Sequence, residues 1–247
     1  VSPDGKQIAY VGFDDKCQFY QAANLYLMNR DGSSPRQIIN SLDRDIGNIK
    51  WSSDNKGIYF QFDDKGNTWI AYTNLNGDVT KLSNNVGGLS LDRPYSAGSF
   101  TVSSNGRFAF TYSRIDRPSD LASGSKGILE IKPITSVNDD LFLHKKLGKV
   151  EELWYSSSFD GRKIQSWIVY PPEFDPSKKY PMILEIHGGP ISNYGFRFST
   201  EMQLYAANGY VVLYTNPRGS DSYGEEFGNL IHHNYPGPDY DDLMSGV

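Results

Sequence analysis

The residues with the clearest chemical use are His187-Gly188-Gly189-Pro190, which close a short apolar run at Met182–His187. Two glycines directly after a strand let the backbone turn sharply and leave N–H groups free to point outward. N–H groups fixed in that way stabilise an oxygen that gains negative charge during acyl transfer. Acyl transfer through a side chain also needs a Ser nucleophile, a His base and an acid that orients the base. No serine of the chain stands in a Gly-x-Ser-x-Gly elbow, and Gly219-Ser220-Asp221-Ser222 has the wrong spacing. His187 precedes the place of any such elbow, whereas the base follows it in the order Ser, Asp, His. His187 is therefore read as a residue that lines the pocket or holds the loop. Arg218, in Asn216-Pro217-Arg218-Gly219, follows a second apolar run where sites form beyond strand ends. It either touches substrate or holds its own loop through a salt bridge. His232-His233 have no Cys or carboxylate at ligand spacing, and Asp14-Asp15 and Asp63-Asp64 read as acidic turns. Neither a metal nor another cofactor is expected.

Those loops need strands and helices to carry them. From near Val150 the pattern predicts a strand at Lys163–Tyr170 after Asp160-Gly161, a loop at Pro171–Tyr180, and the strand Met182–His187. A helix is predicted over Thr200–Asn208, capped by Ser199 or Thr200 and stopped by Gly209. Tyr210–Thr215 is almost wholly apolar, as a strand covered on both faces would be. Gly237-Pro238-Asp239 opens a last helix, with Asp239, Asp241 and Asp242 at its positive end. Strand and helix alternating in this way predict an α/β unit.

The first half has a different grammar. Ser2-Pro3-Asp4-Gly5-Lys6, Ser52-Ser53-Asp54-Asn55-Lys56 and Ser103-Ser104-Asn105-Gly106-Arg107 each precede a strand-like run, with 50 and then 51 residues between Asp4, Asp54 and Asn105. Further strands are predicted at Asn24–Met28, Trp69–Asn74 and Gly127–Lys132, with hairpin turns at Asp31-Gly32 and Asn76-Gly77. One unit reads as a strand ending near Trp51, a turn, Ile58–Phe62, a loop, Trp69–Asn74 and Val79–Leu82, with Trp51 and Trp69 in its core. Arg114–Lys126 reads as an inserted loop. This period, with several hairpins per unit, is that of β-propeller blades. The expectation is all-β propeller blades over residues 1–148, followed by α/β over 149–247. A β-sandwich is the plainer alternative.

The 247 residues carry 14% aromatic side chains, 24 Gly, 13 Pro and a net charge of −5. Aromatic residues and turn formers suit sheets. The acidic balance and scattered basic residues argue against a nucleic-acid partner. Cys17 is the one cysteine, so no internal disulfide can form. No apolar run approaches the length of a membrane-spanning helix. The chain opens on a turn without Met and stops within a predicted helix, so a piece truncated at both ends is expected.

With these segments in view, Gly148–Val247 resembles the start of the hydrolase domain of the prolyl oligopeptidase family, in the branch of acylaminoacyl peptidases and type-five dipeptidyl peptidases. The resemblance rests on Lys149-Val150-Glu151-Glu152, Ser158–Ile164, Leu184–Pro190, Leu213–Ser220, Tyr223–Phe227 and Asp239–Val247. It implies an α/β-hydrolase domain capped by a propeller, and a serine exopeptidase acting on short peptides. It implies the backbone N–H of Gly189 as oxyanion donor, with that of Gly188 second, and a triad beyond Val247. Residues 1–247 alone would then be inactive. Asn234-Tyr235-Pro236-Gly237-Pro238 departs from the Trp-Gly-Gly-like run usual in relatives. A propeller-based binding protein with a degenerate hydrolase domain, and a carboxylesterase, stay open as alternatives. So do homo-oligomers of the whole protein and either a periplasmic or secreted or a cytoplasmic location.

Overall fold

A computed structural model describes residues 1–247, apart from the side chain of Leu129. The first half is built of antiparallel strands. β1 (Gln7–Gly12), β2 (Asn24–Asn29) and β3 (Arg36–Gln37) form one sheet in that order. β4 (Gly47–Trp51), β5 (Gly57–Asp64), β6 (Asn67–Asn74) and β7 (Val79–Val86) form a meander. β8 (Phe100–Val102), β9 (Arg107–Tyr112), β10 (Asp120–Ser125) and β11 (Ile128–Pro133) form another. The two meanders join edge to edge at the pair Val86 and Tyr112, flanked by the bonds of Gly87 N–H to the Thr111 carbonyl and Ser113 N–H to that of Asn85.

The repeated turn has a physical cause. Ser2 Oγ donates to Asp4 Oδ1 at 2.7 Å and accepts the N–H of Gln7 at 2.9 Å, while Lys6 N–H reaches Asp4 Oδ1. Ser52, Asp54, Lys56 and Gly57 repeat this arrangement, and Ser103, Asn105 and Arg107 repeat its Ser-to-Asx and Asx-to-backbone bonds. Such side-chain bonds to the local backbone are the reason Ser, Asp and Asn recur in turns. The turns also bond to one another: Asp4 N–H donates to Asn55 Oδ1, and Ser53 Oγ donates to the carbonyl of Ser104.

Period-two alternation explains the packing. Ile58, Phe60 and Phe62 of β5 face a core shared with Leu25, Leu27, Ile38 and Ile46. The intervening Tyr59, with Ile70 and Tyr72 of β6, faces a second core with Phe100, Phe108 and Phe110. The central meander is thus buried on both faces. Trp51 and Trp69 are half-buried against the first core.

Two sequence expectations need correction. The loop expected before Trp69 is a hairpin turning at Lys65-Gly66, with φ of 49° and 71°, between strands longer than predicted. Arg114–Lys126 is not a continuous loop, because Asp120–Ser125 is strand β10 paired along β9. Its residues have weak strand preference, and the burial of Ala122 beside Phe108 and Phe110 decides the matter.

A short helix α1 (Asp139–Phe142) leads to the second half. There β12 (Val150–Ser156), β13 (Lys163–Val169), β14 (Met182–Ile186) and β15 (Val211–Asn216) form a sheet in the order β12-β13-β15-β14, with only β14 and β15 parallel. Helix α2 (Thr200–Ala207) links that parallel pair, its Ser199 cap accepting the N–H of Met202. Met202 and Ala206 pack on Trp167, Val212 and Tyr214. α3 (Glu225–Asn229) and α4 (Asp239–Gly246) follow, and Tyr155 bonds both the carbonyl of Asp242 and Thr215 on the other face. Among the described residues, no helix is long and apolar enough to cross a membrane.

The β5–β6 hairpin tip docks into the second half. Gly66 N–H donates to Ser222 Oγ at 2.8 Å, and a Cβ at Gly66 would lie 2.8 Å from the Trp167 ring and 2.9 Å from the Tyr194 carbonyl. A methyl there meets both a left-handed backbone and a wall. Gly66→Ala is expected to cost roughly 2–4 kcal/mol in urea denaturation. Gly32→Ala shares the positive φ but has open space, and is expected to cost only about 1 kcal/mol.

Candidate active site: an oxyanion loop

β14 and β15 are parallel neighbours, so the loops that leave their C-terminal ends emerge together. One is His187–Pro190 and the other is Pro217–Ser220. Asn216, fully buried at the end of β15, ties them. Its Oδ1 accepts the N–H of Tyr194, and its Nδ2 donates to the Tyr194 carbonyl and to Tyr223 Oη.

His187 is buried between the loops, with Nε2 3.0 Å from Ser220 Oγ and its ring edge-on to Tyr194. Burial pulls its pKa down from 6.5 to about 4, so the ring is neutral at pH 7. Nδ1 lies 3.3 Å from the Gly188 carbonyl, which therefore faces the buried ring. Ser220 Oγ donates its one proton to the Pro217 carbonyl at 2.7 Å, closing the second loop.

Gly188 and Gly189 are exposed. The C=O and N–H of one trans peptide point in opposite directions. Because the Gly188 carbonyl faces the buried imidazole at 3.3 Å, the Gly189 N–H is turned outward. Among the described residues that N–H meets no acceptor, while Gly188 N–H donates to Tyr95 Oη at 3.4 Å. Gly189 has φ of 136°, and a Cβ there would crowd the backbone of Ile191. The loop can thus present a fixed, outward N–H to a developing negative oxygen.

Arg218 has no nitrogen free for a ligand. Nε and Nη2 form a bidentate pair with Asp242 at 2.8 Å each, and Nη1 and Nη2 reach Asp160 at 3.3 and 3.0 Å. Its backbone N–H also donates to Asp242. The hydrogen bonds that the side chain donates to Asp242 hold the guanidinium pKa above its ordinary value. Of the two roles the sequence left open, these ion pairs belong to the one that holds the loop. Asp242 lies in the first turn of α4, so the pair fixes that helix beneath the loop.

His232 Nδ1 accepts the N–H of Phe19, and the two imidazoles lie 4.0 Å apart. Among the described residues, no group of three His, Cys, Asp or Glu could hold a metal ion.

Sequence reasoning missed the groups at the joint of the two halves. Residues 87–99, between β7 and β8, run along 193–201: Gly195 N–H donates to the Pro94 carbonyl, Ser96 N–H to that of Asn193, and Thr200 N–H to that of Leu91. Arg93 pairs with Glu185 at 3.2 Å and Glu201 at 2.7 Å. The length of this segment, interrupting a regular repeat, was the available signal. Nearby, Arg197 is buried with Nη2 on Thr68 Oγ1 at 2.6 Å, while its Nε and Nη1 lack partners. Burial pushes Asp221 up to about 6, against the hydrogen bond from Asn193.

Residues 196–247 match the family model described as the prolyl oligopeptidase family. The uncharacterized peptidase YuxL of Bacillus subtilis is 37% identical over 198 residues, covering 80% of this chain and 29% of that protein. Dipeptidyl-peptidase 5 of Aspergillus fumigatus is 30% identical over 249 residues, covering 98% of this chain and 33% of the relative. The chain thus spans about a third of the length of these curated relatives. A solved acylaminoacyl peptidase in complex with Z-Gly-Gly-Phe-chloromethyl ketone superimposes with TM-score 0.82 at 25% identity, over 98% of this chain and 36% of the other. Dipeptidyl peptidase 4 of Porphyromonas gingivalis shares the fold, with TM-score 0.72 at 22% identity over 98% of this chain and 33% of the other.

Two outcomes follow from the buried charges. Asp242→Ala leaves Arg218 without its main partner, and a loss of about 3–5 kcal/mol is expected in urea denaturation at pH 7. Asp221 has a folded pKa above its unfolded value of 3.8, so its stability contribution is present below that value and lost as pH rises through about 6. Asp221→Asn keeps an acceptor for Asn193 without the charge. It is expected to be more stable than the parent at pH 7.5, by at most about 3 kcal/mol, and indistinguishable at pH 3.5.

Proposed function

Because the chain belongs to the prolyl oligopeptidase family, we propose that it supplies the oxyanion half of a serine exopeptidase site that cleaves short peptides, as a dipeptidyl or an acylaminoacyl peptidase. Residues 1–148 are read as blades of a β-propeller, and 149–247 as the N-terminal part of an α/β-hydrolase domain. The meanders that stack face to face, joined edge to edge at Val86 and Tyr112, support the first assignment. The mixed sheet with helices on both faces supports the second.

The observation that carries the reading is the Gly189 N–H, turned outward because the Gly188 carbonyl faces His187. In acyl transfer a serine gives its hydroxyl proton to a base as its oxygen bonds to the substrate carbonyl carbon, and the carbonyl π electrons move onto oxygen. That oxygen would meet the Gly189 N–H, a donor held in place before the reaction starts. His187, its pKa pulled down to about 4 by burial, is a weak acceptor for that proton. It orients the loop from below, and Arg218 with Asp242 holds the neighbouring loop at the same sheet end. Gly-x-Ser-x-Gly does not occur in residues 1–247, so these residues alone are expected to turn over no peptide.

The test is hydrolysis by the full-length protein of dipeptidyl and acyl-aminoacyl amides beside simple esters. Amide cleavage is expected, and Gly189→Ala is expected to lower kcat on the order of a hundredfold. Cleavage of esters alone would make the protein a carboxylesterase. No turnover of either would leave a binding role for the propeller.

A further inference from the structure

Residues 87–99 of the first half do more than bury surface at the joint. We propose that Tyr95 is a positioning residue of the oxyanion loop, its hydroxyl taking the N–H of Gly188 so that the Gly189 N–H alone is left for the reacting carbonyl. This rests on the peptidase reading above.

Tyr95 is held rigidly enough for that task. Its ring lies 4.8 Å from that of Tyr194, and the two residues form an isolated antiparallel bridge. Tyr194 is itself fixed: Asn216 holds both its backbone groups, and its Oη donates to Glu185 Oε1 at 3.2 Å. On either side of Tyr95, the Pro94 carbonyl accepts the N–H of Gly195 and the Ser96 N–H donates to the Asn193 carbonyl, and Arg93 pairs with Glu185 and Glu201. These contacts fix the Tyr95 hydroxyl beside the loop from outside it.

Gly188 needs such a contact. A Cβ at Gly188 would meet no atom within 4 Å, so no steric wall fixes the peptide between His187 and Gly188. Its restraint is the hydrogen bond to Tyr95 Oη, at the long end of the usual range. The next peptide packs its carbonyl against the buried His187 ring, 3.3 Å from Nδ1. Two consecutive peptide planes thus each meet one side chain, one from each half of the molecule. Without the first, the second can rotate, and the outward N–H loses its aim.

Tyr95→Phe keeps the ring on Tyr194 and removes only the hydroxyl. In the full-length protein it is expected to lower kcat on an amide substrate roughly three- to tenfold with KM within about twofold, because the loss falls on the transition state and not on binding. In the same variant, hydrogen exchange of the Gly188 amide is expected to rise at least about fivefold, while the Tyr194 amide keeps its protection. Unchanged kcat in the folded variant overturns the proposal, whether or not the exchange changes. A fall in kcat with unchanged Gly188 exchange overturns it as well, since the effect would not pass through that amide. If the parent protein cleaves no amide, the peptidase reading fails instead. Exchange at Gly188 alone then decides whether Tyr95 positions the loop.

Discussion

At Gly66 and Gly195 two backbones lie so close that a Cβ on Gly195 would sit 1.8 Å from the Gly66 carbonyl oxygen. Side chains cannot be inserted there without parting the two halves. Around this contact Trp167 stacks on Tyr214 at 5.3 Å, Tyr194 stands edge-on to both Tyr214 and His187, and Ser222 takes the hairpin's N–H. The loop His187–Pro190 therefore sits on an aromatic floor that is complete only when the hairpin tip is seated. The repeat, through β5 and β6, sets the position of that tip, and so a turn in the first half limits where a loop of the second half can lie.

The charges at the joint fall into two kinds. Arg218 and Asp242 form a fully engaged pair, in which burial strengthens attraction while hydrogen bonds meet the cost of desolvation. Arg197 is as buried but poorly matched, with Asp63 at 3.9 Å and two nitrogens unpartnered. Burial lowers its pKa below the ordinary guanidinium value, and Asp221 is raised by the same cause. The matched pair locks one element within the second half. The mismatched group lies where the halves meet, where a perfect lock would oppose any relative movement.

Much of this was legible in the chain. The Ser-x-Asp/Asn turns announced themselves because each side chain bonds its own backbone, a local cause that leaves a local trace. The same holds for the Ser199 cap, the apolar strand β15 and the glycines after β14. β10 was hidden because its pairing partner, not its residues, makes it a strand. Tyr95, Arg93, Asn216 and Asp221 were hidden for a related reason. Their roles depend on neighbours about 90 or more residues away for Tyr95 and Arg93, or on burial, and neither has a spacing that can be read. Arg218 was legible as a residue of interest but not in its role, which only Asp242 and Asp160 settle.

The turns that bond to one another, Asp4 to Asn55 and Ser53 to Ser104, each join residues 51 apart. Strand direction places them all at one end of the meanders. The segments 13–23, 38–46, 65–66 and 87–99 therefore lie at the opposite end, and contacts with the second half come from there, as with Tyr20 on Asn229, Asp43 on Glu225 and Tyr95 on Gly188. One rim keeps the count of residues per repeat, because a turn shifted along the chain would miss its neighbour. The other rim is free of that count, so its loops can differ in length from one meander to the next. Lengthening or shortening them would reshape the wall above the loop His187–Pro190 without disturbing the stack of sheets, which divides the molecule into an end that keeps measure and an end that can be tailored.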